Sequence, residues 1–384
     1  MTRVLMISTD AKILEEGSAV RVRMAEYGQL FEELHIVVFC RKNFRFSHID
    51  SQEGGEGAGR IQISRNIFAY PTLSASKLLY VRDALKIGSS LFDNRKSNID
   101  NFVISTQDPF ETGLVGARLS EKFGVPLHVQ IHTDFHSPYF KGSLLNKVRI
   151  ALARRSLSRA RAVRAVSERI RSSLPESWQL KASVLPIFAD LQAIRGAPAP
   201  AEARLDLRKK YPQFDKVVLM ASRLTKEKDF GTAIAAFSEA LKGFPRAGLV
   251  IVGEGPQKEE IGARSRELGI EKSVAVEPWA DRQTLVSYMK SCDAFLSASL
   301  YEGYGLSMLE AHTSGAPLIA TDAGIAPLLA SKEGLVPPQS SKTMAISLKK
   351  ALGGELRNRK YEYPYSSRQA YMEAYKRDVE RALL

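Results

Sequence analysis

The 384-residue chain is too long for one typical domain and comfortable for two, each able to bury a core. With 44% hydrophobic and 25% charged residues it is neither disordered nor fibrous, and apolar runs such as VVLMAS and AGLVIVG are strand-sized, short of the ~20 residues of a membrane helix. The net charge is +13, of which +9 falls in residues 1–188 (27 basic, 18 acidic); such a field favours phospholipid surfaces, nucleic acid or phosphorylated small molecules without choosing among them.

From the N-terminus, MTRVLMIST reads as a buried strand entering a loop. A signal peptide would have a longer apolar core, so a cytoplasmic protein is expected. The stretches RVLMIS, HIVVFC, NFVIST, PLHVQIH and RAVRAVS are strand-like, and helix-period segments alternate with them, including a long basic helix from about Asn146. SQEGGEGAGR, 51–60, is expected to be a flexible loop. After the Pro- and Ala-rich VLPIFADLQAIRGAPAPAEA the alternation restarts with KVVLMAS, AGLVIVG, SVAVEP, DAFLSAS and PLIATD. Alternation of this kind predicts an α/β protein with two Rossmann-like domains of parallel sheet, the strand ends facing each other across a cleft. The expected boundaries are 1–188 for the first domain, 189–364 for the second, and 365–384 for a C-terminal helix packing back on the first. Cys40 and Cys292 lie in different domains inside apolar runs and read as buried, reduced thiols.

Three strand-to-helix loops of the second half can carry chemistry. In SRLTKEKD, Arg223 and Lys228 leave a strand end five residues apart and can reach one point, where together they would neutralise a diphosphate; two solvated surface cations is the plainer alternative. In VGEGP, Gly253 and Gly255 permit close approach of a ligand to backbone, or form an ordinary turn; a dinucleotide fingerprint fails because Lys258 stands where a third glycine belongs. In LYEGYGLSMLEA, Gly303 and Gly305 allow a tight turn, and a helix starting near Leu306 turns its N-terminal amides towards an anion. A carboxylate beside a phosphate is repelled, so Glu302 and Glu310 need neutral partners such as sugar hydroxyls. Glu310 then suits a ribose diol and Glu302 a hexose, unless they are an ordinary helix glutamate and loop glutamate.

These segments, with SASLYEGYGLSMLEAHTSGAPLIATDAG, resemble successive signatures of the glycosyltransferases of family four, retaining enzymes with the GT-B fold. The likeness covers nearly all of the second half and extends more faintly into the first. GSAVRVRMAEYGQLFEELHIVVF is similar to the family's first glycine loop, with Gly17 kept and Ser18 where a second glycine is expected. VPLHVQIHTDF is similar to the segment with a strand-end histidine, here His132, and VLPIFAD to the hinge, with Asp190 kept and Phe188 where glycine is common. The resemblance implies that Arg223 and Lys228 bind the diphosphate, Glu310 the ribose, and Glu302 and His132 the donor sugar. It also implies that the amides of Gly303, Tyr304, Gly305 and Leu306 meet sugar and phosphate. Tyr304, Asp229 and Ala298 are mild departures from the family pattern.

Without the family, an isolated strand-end histidine such as His132 is more often structural, and Asp108 in STQDPF can equally be a cleft residue or an N-cap. The order H-T-D-F-H also suggests metal ligands, but no cysteine or HExxH helix accompanies it, and a metal site is not expected. The chain contains no DxD triplet. The expectation is a metal-independent retaining hexosyltransferase with no cofactor beyond its UDP- or GDP-linked sugar donor, acting on a saccharide or lipid-linked acceptor in cell-surface glycan or glycolipid synthesis. The basic helix, with Lys147, Arg149, Arg154, Arg155 and Arg159, either rests peripherally on an anionic membrane surface or is a solvated face. Nucleic acid is not an expected partner, since no stacking aromatics interleave the charges. The alternatives are a sugar-nucleotide epimerase or phosphorylase of similar architecture, or a non-catalytic sugar-binding protein.

Overall fold

The computed structural model describes residues 2–44, 59–94, 99–198, 202 and 205–384. Positions 51–58 of the glycine-rich stretch, expected as a flexible loop, lie outside these residues, as do 199–201 and 203–204 of the Pro- and Ala-rich segment. The chain divides into two compact units, Met1–Pro186 with Ser367–Leu384, and Ile187–Ser366. The Tyr363 hydroxyl donates to Ile187 O at 2.9 Å, which ties the segment before Ser367 to the second unit.

The first unit is built on β1 (Arg3–Ser8), β2 (Glu33–Val38), β3 (Ile61–Ser64), β4 (Ile67–Pro71), β5 (Phe102–Thr106), β6 (Leu127–Ile131), β7 (Ala162–Ala165) and β8 (Ala182–Val184). They form one sheet in the order β3-β4-β2-β1-β5-β6-β7-β8, parallel except where β3 pairs antiparallel to β4. Every residue of β5, β6 and β7 is buried, as a parallel sheet with both faces covered requires. The C-terminal helix Arg368–Glu380, capped by Ser367, buries Tyr371, Tyr375, Asp378 and Val379, a one-sided stripe packed on β5 and β7. Tyr375 stacks on Tyr27 at 4.4 Å between ring centres.

The second unit holds β9 (Lys216–Ala221), β10 (Ala247–Val252), β11 (Val274–Glu277), β12 (Ala294–Ser297), β13 (Leu318–Thr321) and β14 (Leu335–Val336). All are parallel, in the order β11-β10-β9-β12-β13-β14, which is the doubly wound order with its reversal between β9 and β12. Helices Phe230–Leu241 and Ser341–Leu352 pack together beside the sheet, burying Ile234, Phe237, Met344 and Leu348. Side chains of this size stabilise the fold by roughly 1.5–3 kcal/mol each. Cys40 and Cys292 are buried and unbridged, one in each unit, and burial pushes the Cys292 thiol up to about 12.

Candidate active site

The reversal of strand order between β9 and β12 brings two of the three singled-out loops side by side at the carboxyl ends of the strands. After β9, residues 226–228 make a short 3-10 turn that ends at Asp229, which takes a left-handed φ of +46° and accepts a hydrogen bond from Thr232 N to start the helix Phe230–Leu241. That turn aims Lys228 inward. Its ammonium meets Glu302 Oε1 at 2.5 Å, and Ser299 Oγ donates to the same oxygen at 2.8 Å. Leu300 N bonds Glu227 O at 2.8 Å and fastens the two loops backbone to backbone. Ser222 and Ser307 line the same crevice, which these side chains nearly fill, leaving ≈10 Å³.

Arg223 does not join Lys228 at one point. Its side chain is 72% exposed and leans on Glu227, 3.4 Å away, because that acid stands one turn on and is itself held by Thr225 Oγ1 at 2.7 Å. Within the protein both glutamates also have a cationic neighbour. Glu302 pairs with Lys228, and Glu310 lies 3.5 Å from Arg282, since a carboxylate drawn into a packed loop or helix interface is offset by the nearest cation.

Gly305 takes φ +95° and opens the helix Leu306–Thr313, which has no side-chain cap. Its first turn therefore offers backbone amides, with the positive end of the helix dipole, beside the Lys228–Glu302 pair. Leu306 is the first helical residue, Gly303 precedes the turn, and Tyr304 is buried with its carbonyl accepting Ile325 N at 2.9 Å. Gly324, inside the quoted motif but not singled out, packs so closely that a Cβ there would lie 2.3 Å from Tyr304 O. Glu310, one turn into the helix, is buried, and burial raises its carboxyl above the usual range while Arg282 opposes the shift. Arg282 was not singled out either; it becomes a neighbour only because the helices Arg282–Ser291 and Leu306–Thr313 pack together. A cavity of about 470 Å³ is lined by Arg282 and Gln283 together with Ala193, Ile194, Leu205 and Val286.

Gly253 and Gly255 have a packing reason. At φ +154° and +150°, a Cβ on either would lie 1.9 Å from Ser222 O or 2.5 Å from Leu224 O. The two loops run that close because Leu224 N donates to Glu254 O and Gln257 N to Leu224 O. These glycines thus set the path of the loop that carries Arg223 and Lys228.

In the first unit, Gly17 has φ +72° and leads into Ser18, whose Oγ accepts from Arg21 N as cap of the helix Ala19–Gly28. His132 follows β6; its Nε2 faces Gln130 Oε1 at 3.3 Å. Although the residue keeps some solvent contact, the crowding around its ring, then Arg164, Arg23 and His128, push its pKa down to about 3. Asp108 accepts from Phe110 N at 2.7 Å just before the helix Glu111–Phe123, and burial lifts its carboxyl to about 6. Asp134 accepts from Ser137 N, and His136 Nε2 is buried with no hydrogen-bond partner among the described residues. Among those residues no group of three or more His, Cys, Asp or Glu side chains is arranged to hold a metal ion.

Residues 204–367 match the family "Glycosyl transferases group 1", and residues 17–187 match "Glycosyl transferase 4-like domain". The chain is 29% identical over 225 residues to alpha-monoglucosyldiacylglycerol synthase of Streptococcus pneumoniae, covering 57% of this chain and 51% of that protein. It is 28% identical over 210 residues to alpha-D-kanosaminyltransferase of Streptomyces kanamyceticus, covering 53% and 54%. The chain thus spans about half the length of the curated relatives it matches. Its fold superposes on sucrose-phosphate synthase of Thermosynechococcus elongatus over 100% of this chain and 94% of that one, with TM-score 0.69 and 19% identity. Anabaena HepE, solved with UDP and glucose, superposes over 92% of both chains with TM-score 0.65 and 18% identity. The two family matches lie one in each unit and together take in most of the chain, which belongs to the group 1 glycosyltransferases of GT-B fold.

Proposed function

We propose that the protein transfers a hexosyl group from a UDP- or GDP-linked sugar to an acceptor hydroxyl, with the anomeric configuration retained. The observation that carries this reading is the crevice where Lys228, Glu302 and Ser299 meet beside the uncapped N-terminus of the helix Leu306–Thr313. A cation and a helix end suit the two phosphates, while the half-buried carboxylate of Glu302 and the buried one of Glu310 suit the hydroxyls of the sugars on either side. The alpha-monoglucosyldiacylglycerol synthase among the relatives supports a glycolipid or glycan acceptor.

As the glycosidic bond breaks, negative charge grows on the β-phosphate. Lys228, the helix amides and Arg223, swung from Glu227, stabilise it without reorganising solvent. No bound divalent ion is needed in this scheme, because the chain's own cations stand in that place. The leaving phosphate takes the acceptor's proton, and attack comes from the face it vacates. In this assignment the second unit binds the donor and the first unit the acceptor.

The helix Leu144–Arg159 supports peripheral binding to an anionic membrane surface. Leu144, Leu145 and Val148 are exposed beside Lys141 and Lys147. Lys141, Lys147 and Arg154 have no acidic partner among the described residues, whereas Arg149 and Arg155 pair with Glu111 and Glu121, and Arg159 donates to Ser120 O. Among the described residues no helix is long and apolar enough to cross a membrane.

The test is a thermal-shift panel of UDP, GDP, ADP and their common sugars, followed by product analysis with the stabilising donor and NMR of the new glycosidic linkage. An inverted linkage, or full turnover by Arg223→Ala and Lys228→Ala, would overturn the assignment.

A further inference from the structure

A buried chain of hydrogen bonds in the first unit fixes which nitrogen of His132 carries its proton. It begins at Arg164, which is 3% exposed and can only donate. Its Nε donates to Leu185 O at 3.0 Å. One terminal nitrogen donates to Gln130 Oε1 at 2.8 Å, and the other to Pro186 O and the Tyr371 hydroxyl, both at 2.8 Å. Because guanidinium has no acceptor, the Gln130 atom facing it must be the amide oxygen, which settles the orientation of that amide from chemistry.

The same oxygen faces His132 Nε2 at 3.3 Å and can only accept, so Nε2 must carry the hydrogen. The other end of the amide agrees. Gln130 Nε2 donates to Ser105 Oγ at 3.3 Å and to the Tyr375 hydroxyl at 3.4 Å. Ser105 is then free to donate to His128 Nδ1 at 3.1 Å, and His128 Nε2 donates to Asp378 Oδ2 at 3.0 Å. The Arg164, Gln130 and His128 donors of the run all meet acceptors with Gln130 in this orientation. Three of its members, Tyr371, Tyr375 and Asp378, come from the C-terminal helix.

We infer that Gln130, pinned by Arg164 and the C-terminal helix, is a positioning residue that holds His132 as the Nε2–H tautomer and leaves Nδ1 as a hydrogen-bond acceptor. Nδ1 has no partner among the described residues, and His132 keeps some solvent contact. The crowding and positive neighbours that depress its pKa keep the ring neutral, so Nδ1 retains its lone pair at physiological pH. A sugar hydroxyl meeting His132 therefore donates to it. The relevance to catalysis rests on the proposed transferase reading and on the donor-sugar contact that the family resemblance implies for His132, but the tautomer itself is read without substrate, so the two can fail separately.

The experiment is long-range 1H–15N correlation NMR of the full chain labelled at histidine, with the His132 signals assigned by their loss in His132→Asn. The parent should show His132 as Nε2–H at neutral pH. Gln130→Leu, which removes the acceptor, should shift it to a mixture with Nδ1–H and lower kcat, while Gln130→Glu, which restores an acceptor, should return the Nε2–H state. An Nδ1–H ring in the parent overturns the inference, as does a ring unmoved in a folded Gln130→Leu. If Gln130→Leu fails to fold, the parent spectrum alone still decides.

Discussion

Replacing Lys228 by Met tests the crevice through two quantities with separate predicted sizes. The ammonium and Glu302 have side chains 11% and 18% exposed, so the pair is neither a surface bridge, worth about 0–1 kcal/mol, nor a fully buried one, whose breakage costs roughly 3–5 kcal/mol. At an effective dielectric near 20, unit charges this close attract by roughly 4–7 kcal/mol before desolvation is subtracted. Ser299 still bonds the stranded carboxylate, so a loss of about 2 kcal/mol on urea unfolding is expected. Binding responds differently. Losing one charge-assisted hydrogen bond should weaken a nucleoside diphosphate by about 1.5–3 kcal/mol, roughly 10- to 150-fold in Kd. Glu302→Gln should act in the opposite direction on binding, because it releases the ammonium from its competitor and removes a charge that repels phosphate; a tightening of up to about tenfold corresponds to ~1.4 kcal/mol. Isothermal titration with UDP, GDP and ADP on both variants reads these signs. If both substitutions weaken binding alike, or neither changes it, Lys228 is not the diphosphate cation and the pair is structural.

Asp108→Asn should stabilise the protein at pH 7.5. The folded carboxyl titrates near 6, above its ordinary value, so between about pH 4 and 6 the native state holds a proton that the unfolded chain has released. Stability is therefore lost as pH rises through that window and stays lost above it. At ~1.4 kcal/mol per pH unit the ceiling is about 3 kcal/mol, and the variant's advantage should shrink when unfolding is repeated at pH 4.5. Gly253→Ala places a methyl 1.9 Å from Ser222 O at a φ that side chains avoid, so a loss of at least about 2 kcal/mol in thermal unfolding should accompany weaker diphosphate binding. An unchanged melting temperature would refute the packing role. Changing Leu145 and Val148 to Asp should reduce co-sedimentation with anionic vesicles and leave thermal stability nearly unchanged, both side chains being more than half exposed. Equal co-sedimentation by parent and variant would remove the membrane reading.

What could be read in the sequence was whatever local pattern dictates. The apolar runs KVVLMAS and AGLVIVG became β9 and β10 because a strand buried on both faces needs unbroken apolar residues. The turn before Leu306 was visible because Gly305 takes a φ that other residues avoid. What could not be read depends on neighbours distant in sequence. β3, β4, β8 and β14 are short or partly exposed strands with little period of their own, and the helix Ser341–Leu352 gains its identity by packing on Phe230–Leu241. Nothing in SRLTKEKD shows that Arg223 will lean outward on Glu227 while Lys228 turns in. The glycine pair in VGEGP looks the same whether the close approach is by a ligand or, as found here, by the protein's own backbone at Ser222 and Leu224.

Two departures from the family pattern have local causes that leave the site's geometry intact. Ser18 stands where a second glycine is usual, yet only Gly17 needs a positive φ; Ser18 at −64° caps the helix Ala19–Gly28 and donates from its hydroxyl to Lys12 O, closing the loop with a side chain instead of a flexible residue. Asp229 is tolerated in the left-handed region because its carboxylate bonds both the amide and the hydroxyl of Thr232, which offsets the strain of φ +46°. A substitution that broke this cap would unwind the turn holding Lys228 inward before it touched the lysine itself. Both departures thus act on how the loops are held, whereas Arg282, on the helix Arg282–Ser291, acts on Glu310 directly through its charge.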